Sequence, residues 1–88
     1  IPLTRSLMET LSIIAYKQPL TKRDIDAFRG VDSARVIRQL LDRKLIEIGG
    51  RNGDGGKLVF RTTQRFLEVY GLRDLNDLPT LKEIEPFE

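Results

Sequence analysis

Apolar residues recur at helical spacing through the first half of the chain and then switch to alternation. Leu7, Met8, Leu11, Ile14 and Ala15 fall at i, i+3/i+4 spacing, and Ile13 widens the stripe. That pattern predicts a central helix capped by Thr4 and running to about Lys17. Pro19 ends it, because the residue before a proline avoids helical angles. Leu20 reads as a short extended link. Thr21 and Asp24 stand at cap and N3 spacing, with Asp in place of the usual Glu. The second helix they open is about two turns long, points Ile25 and Phe28 inward and stops at Gly30 in the left-handed region. Asp32 or Ser33 caps a third helix to about Arg43. Its buried stripe is Val36, Ile37, Leu40 and Leu41, and its outer faces carry Ser33, Arg35, Arg38, Gln39 and Asp42. Two short helices joined through a glycine-containing turn form the helix-turn-helix pattern.

The period then falls to about two. Leu45 to Ile48 reads as a strand, residues 49–56 as a loop with five glycines in eight positions, and Leu58 to Thr62 as the returning strand. This is a β-hairpin, placed where a winged-helix domain carries its wing. Thr63 caps a fourth helix from Gln64 to Tyr70, with Phe66, Leu67 and Tyr70 on its inner side and Gly71 as its stop. The fold class expected is therefore α+β: a winged helix with a three-helix core, a hairpin wing and a fourth helix. The domain spans 1–79, and 80–88 form an acidic tail. Leu72, Leu75, Leu78, Leu81, Ile84 and Phe87 recur every third residue. Each step of three turns 300° on an α-helix, so six of them wrap most of the way round. A helical turn followed by an extended stretch lying on the domain fits better than one amphipathic helix.

Composition bounds the function. The 88 residues hold no Cys and no His. Disulfides, Cys/His zinc sites and thiol or imidazole nucleophiles are excluded. No apolar run reaches the ~20 residues of a membrane span. A start at Ile1 rather than Met leads one to expect a piece of something longer. Net charge is only +2, but it is unevenly spread. Residues 1–44 carry nine Lys/Arg against five Asp/Glu, and residues 73–88 carry two against five. Both biases read as solvated surface rather than as a dedicated binding patch.

The glycine-rich loop lacks the phosphate-loop pattern: Gly50 to Gly56 encloses five residues, Leu58 follows Lys57, and a strand rather than a helix comes next. As a calcium loop it fails where Gly56 and Thr63 replace carboxylates. The acids Glu9, Asp24, Asp26, Glu47 and Glu68 read as solvated positions, not as an acid–base pair. No enzyme chemistry, cofactor or metal is expected. A winged helix can read DNA, with Ser33, Arg35, Arg38 and Gln39 entering the major groove and Arg51, Asn52 and Lys57 reaching phosphates. Asp32 and Asp42 flank that helix and weaken the electrostatic attraction on which such binding depends.

Two stretches carry a more specific likeness. Glu9-Thr10-Leu11-Ser12-Ile13-Ile14-Ala15-Tyr16-Lys17-Gln18-Pro19-Leu20-Thr21 is one. Asp24-Ile25-Asp26 followed by Arg29-Gly30-Val31-Asp32-Ser33 is the other. Together they resemble the second winged-helix domain of the segregation and condensation protein B family. Further matches run through Leu40-Leu41, Leu45-Ile46, Gly50-Arg51, Thr62-Thr63, Phe66-Leu67-Glu68, Gly71-Leu72 and Asp77-Leu78-Pro79, covering about residues 3–81. The wing departs from the family: Asp54-Gly55-Gly56-Lys57 stands where a Pro-Gly-Arg-Pro-like sequence is usual. The resemblance implies two tandem winged helices, the N-terminal one carrying homodimerisation. It implies binding to the kleisin subunit, segregation and condensation protein A, and through it to the SMC ATPase. It also implies a cytoplasmic, nucleoid-associated place in chromosome condensation and segregation, with DNA contact weak or indirect and no membrane. Candidate kleisin anchors are Tyr16, Phe60, Tyr70, Leu81, Ile84 and Phe87, since aromatic anchors dominate interfaces. The alternative is a winged-helix transcription regulator that binds DNA.

Overall fold

The computed structural model describes residues 3–52 and 56–69. Helix α1 covers Arg5–Lys17, strand β1 Leu20–Thr21, α2 Lys22–Arg29, α3 Ala34–Asp42, β2 Ile46–Asn52, β3 Lys57–Thr62 and α4 Gln64–Val69. Three helices pack on one face of an antiparallel sheet of order β1-β3-β2.

The caps follow the side-chain chemistry expected of them. The Thr4 hydroxyl accepts from the Leu7 amide at 3.2 Å. At the head of α2 the box closes both ways: the Asp24 amide donates to Thr21 Oγ1, and the Thr21 amide to Asp24 Oδ2, each at 3.1 Å. Gly30 ends α2 at φ 76, where a Cβ is disfavoured. Of the two candidate caps for α3, Asp32 supplies the bond, accepting from the Ala34 amide at 3.2 Å. The far end of α3 closes without glycine. Lys44 takes φ 60, while the Leu45 amide donates to the Leu40 carbonyl and the Lys44 amide to Leu41. That pair of bonds is the Schellman arrangement. Thr63 caps α4, accepting from the Phe66 amide at 3.2 Å.

The core joins Leu7, Leu11, Ile14 and Ala15 of α1 to Ile25, Ile37 and Leu40, to Leu20, Leu45, Ile46 and Phe60 from the sheet side, and to Phe66 of α4. Val36 and Leu41 are half-buried at its margin. Four expectations need correction. Phe28 does not point inward: it is 55% exposed, because an eight-residue helix buries only Ile25, and its ring lies under the Lys17 ammonium at 5.6 Å. Leu20 is no mere link but a strand residue, paired with Phe60. Strand β2 runs on through Gly49 and Gly50 to Asn52, so the wing is longer than alternation suggests. Its register shifts between Ile48 and Gly50, and Gly50 takes φ 118 there, a bulge geometry that favours glycine. Ser33, assigned to an outer face, is fully buried.

Candidate binding surfaces

The turn between α2 and α3 is held by an ion-pair network built from the second characteristic stretch. The Arg29 side chain is 7% exposed. Its Nε donates to Glu9 Oε1 of α1 at 2.9 Å and its Nη1 to Ser33 Oγ at 3.0 Å. Asp26 Oδ1 accepts from the Ser33 amide at 2.8 Å. The buried Ser33 is therefore committed to the fold, which removes it from the DNA-facing set. Lys22 Nζ sits between two carboxylates, 2.6 Å from Asp26 Oδ2 and 2.7 Å from Asp32 Oδ1. The hydrogen bond from Lys22 holds the Asp26 carboxyl below its ordinary value, and the Ser33 contacts add to that. Asp32 is lowered first by Lys22 and then by the Ala34 amide. Lys22 is raised in turn, by Asp26 before Asp32.

The outer face of α3 leaves Arg35 and Arg38 exposed and Gln39 half-buried, with Asp42 exposed at the far end. Asp32 takes the Ala34 amide at the near end. The wing leaves Arg51 and Lys57 exposed. Arg51 Nη1 donates to the Gly56 carbonyl at 2.8 Å, which stiffens the base of the loop. Asn52 pairs with Lys57 through the backbone. The structure therefore presents two α3 arginines and two wing cations, a sparse positive surface.

The proposed aromatic anchors divide differently. Phe60 is 7% exposed and belongs to the core, so it is not available to a partner. Its ring points inward because Phe60 and Ile48 are paired on the core-facing side of the hairpin. Tyr16 is half-buried on α1. Tyr70, Leu81, Ile84 and Phe87 lie outside the described residues, as do the Gly71 stop and the 80–88 tail. Among the described residues, the large apolar side chains left exposed are instead Phe28, Val31, Ile48, Leu58 and Val69. Of these only Phe28 is expected in the core; the pattern along the chain gives the other four no role. Ile48 and Leu58 share the face of Phe60 but extend beyond the part of the sheet the helices cover.

Among the described residues no group of three or more Asp or Glu is placed to hold a metal. No helix there is long and apolar enough to cross a membrane.

A family model described as "Segregation and condensation complex subunit ScpB" matches residues 1–81. The chain belongs to the ScpB family. Among curated ScpB proteins, that of Syntrophotalea carbinolica is 52% identical over 82 residues, covering 92% of this chain and 42% of its own. That of Shouchella clausii is 46% identical over 84 residues, covering 94% and 44%. The chain thus spans under half the length of these relatives. The crystal structure of ScpB from Mycobacterium tuberculosis superposes with a TM-score of 0.78 at 46% identity, over 82% of this chain and 45% of that one. A Staphylococcus aureus MarR structure, at TM-score 0.63 and 20% identity over 80% of this chain and 48% of its own, shares the winged-helix fold alone. The ScpB stretches Glu9–Thr21 and Asp24–Ser33 are, in this structure, the caps, the first core helix and the network that fixes the turn.

Proposed function

We propose that this chain is a non-catalytic, kleisin-binding winged-helix module of an SMC condensin-type complex, acting at the nucleoid in chromosome condensation and segregation. The family match over residues 1–81 carries the reading. The surface supports it: the Asp32 carboxylate already takes the Ala34 amide at the head of α3, where a DNA phosphate would approach, and Asp42 offsets the α3 arginines. Apolar side chains that a lone domain leaves in water are the better-supplied contact. Phe28, Val31, Ile48, Leu58 and Val69 are the anchors the structure offers, to which the half-buried Tyr16 is added. The same fold thus serves protein recognition, since function lies in the surface grafted on a fold.

The test is an alanine series at those exposed positions, titrated with the kleisin. One or more should weaken binding at least tenfold with little change in melting temperature. Unchanged affinity throughout places the contact elsewhere. A transcription regulator would instead lose duplex affinity on Arg35→Ala or Arg38→Ala, with a steep salt dependence.

A further inference from the structure

We propose that the turn joining α2 to α3 is where the kleisin docks, with Phe28 and Val31 as anchors for an apolar segment of that partner that carries acidic residues beside it. The inference rests on the kleisin reading and narrows it to one of the exposed apolar patches. Phe28 and Val31 are 55% and 54% exposed. Three residues separate them, which keeps them within ~11 Å. Ala27, next to Phe28 on α2, is exposed as well. The backbone that carries this apolar group is braced from several sides. The Gly30 amide donates to the Asp26 carbonyl at 2.7 Å. The buried Arg29 ties the turn to Glu9 of α1 and to Ser33. Asp26 holds the Ser33 amide, and Lys22 clamps Asp26 to Asp32. The Phe28 ring is itself held by the Lys17 ammonium. Apolar side chains presented on a fixed backbone lose little conformational freedom on binding, and a positioned aromatic is a frequent interface anchor.

Charge selects the chemistry of the partner. The carboxylates of α1, α2 and the turn are engaged within the chain: Glu9 with Arg29, Asp24 with the Thr21 amide, Asp26 with Lys22 and the Ser33 amide, and Asp32 with Lys22 and the Ala34 amide. Two cations beside the apolar group are not. Among the described residues neither Lys17 nor Arg23 makes an ion pair, and both are exposed. Lys17 stands over the Phe28 ring. Arg23 lies four residues before Ala27, on the same side of α2. An apolar centre rimmed by unpaired cations fits a protein segment whose apolar side chains are flanked by carboxylates. A second copy of this turn does not supply one, because it would set Lys17 and Arg23 against the same two cations with the nearby carboxylates already engaged. A nucleic-acid backbone would meet the cations but offer Phe28 and Val31 no apolar contact.

The test titrates the full chain with the full-length kleisin, by calorimetry for affinity and by stopped flow for rates. Phe28→Ala should weaken binding about tenfold or more, and Val31→Ala about threefold or more, as interface anchors do, with melting temperatures close to the parent's. Arg23→Glu should slow association about threefold at low salt, the difference narrowing at physiological salt. An acid in the first turn of α2 suits that end of the helix, so the fold is kept. Unchanged affinity in Phe28→Ala and Val31→Ala, with the loss falling on Ile48→Ala or Leu58→Ala instead, overturns this site and leaves the kleisin reading standing. No kleisin binding by the parent chain overturns both. A concentration-dependent dimer of the free chain that Phe28→Ala abolishes assigns the turn to a second copy and overturns the proposal.

Discussion

Replacing Arg29 with Met tests whether the ion-pair network holds the helix-turn-helix together. Met keeps most of the buried stem and removes the guanidinium. The wild-type side chain makes two bonds, to Glu9 and to Ser33. Hydrogen bonds to charged groups contribute ~1.5–3 kcal/mol each where they are buried. The Glu9 bond must be discounted, because its carboxylate is 31% exposed and water can replace the lost donor. The Ser33 hydroxyl is fully buried and keeps a long 3.5 Å contact to the Val31 carbonyl and its interaction with the Asp26 carboxylate, neither of which replaces the lost donor. The expected loss is about 2 kcal/mol, against a total of roughly 4–13 kcal/mol at ~0.05–0.15 per residue. At ~4–8 °C per kcal/mol this lowers the melting temperature by about 8–16 °C. Urea and thermal unfolding of Arg29→Met, Glu9→Gln and the double variant supply the assay. The cycle should show coupling of about 1 kcal/mol between Glu9 and Arg29. A loss below about 0.5 kcal/mol, the level of an ordinary surface change, would refute the network's structural role.

Backbone conformation gives an opposed pair of predictions: Gly30→Ala should destabilise by about 1 kcal/mol, since open space surrounds the added Cβ and only φ 76 opposes it, whereas Lys44→Gly, at φ 60, should stabilise by ~0.4–1 kcal/mol; chemical unfolding measures both. Asp26 and Asp32 are held below the ordinary 3.8 by Lys22, so their contribution is complete above that value and is lost as pH falls through the lower folded values. Lys22, raised above 10.5, contributes below that value and loses its effect as pH rises through the folded one. Lys22→Met should therefore flatten both limbs of the stability–pH curve while leaving its neutral plateau lower; unchanged limbs would contradict the assignment. Phe60→Ala should cost ~3–5 kcal/mol as a core cavity, while Leu58→Ala on the same strand should stay within about 0.5 kcal/mol; calorimetric melting separates them.

The parts of this fold that are local in origin were legible in the residues. Thr4, Thr21, Asp24, Gly30 and Thr63 act within one turn of themselves, and each closes or stops a helix as its chemistry requires. The stripe on α1 was equally plain, because thirteen residues give the period room to show. What depends on distant partners was not legible. Leu20 becomes a strand only because Phe60 lies beside it, forty residues on. Ser33 is internal only because Arg29 is buried against Glu9. Phe28 stays outside because two helical turns cannot cover a second apolar side chain, and Lys17 takes its ring. The binding surface was the least legible part. An exposed Leu58 and a buried Phe60 differ by where the helices end, which no pattern along the strand records.

The most direct test of the account is a calorimetric titration of this chain with the kleisin, run beside a random duplex at low and physiological salt. Saturable kleisin binding that changes little with salt, and no heat with duplex, is the result predicted. Tight, salt-sensitive duplex binding with no kleisin affinity would contradict it.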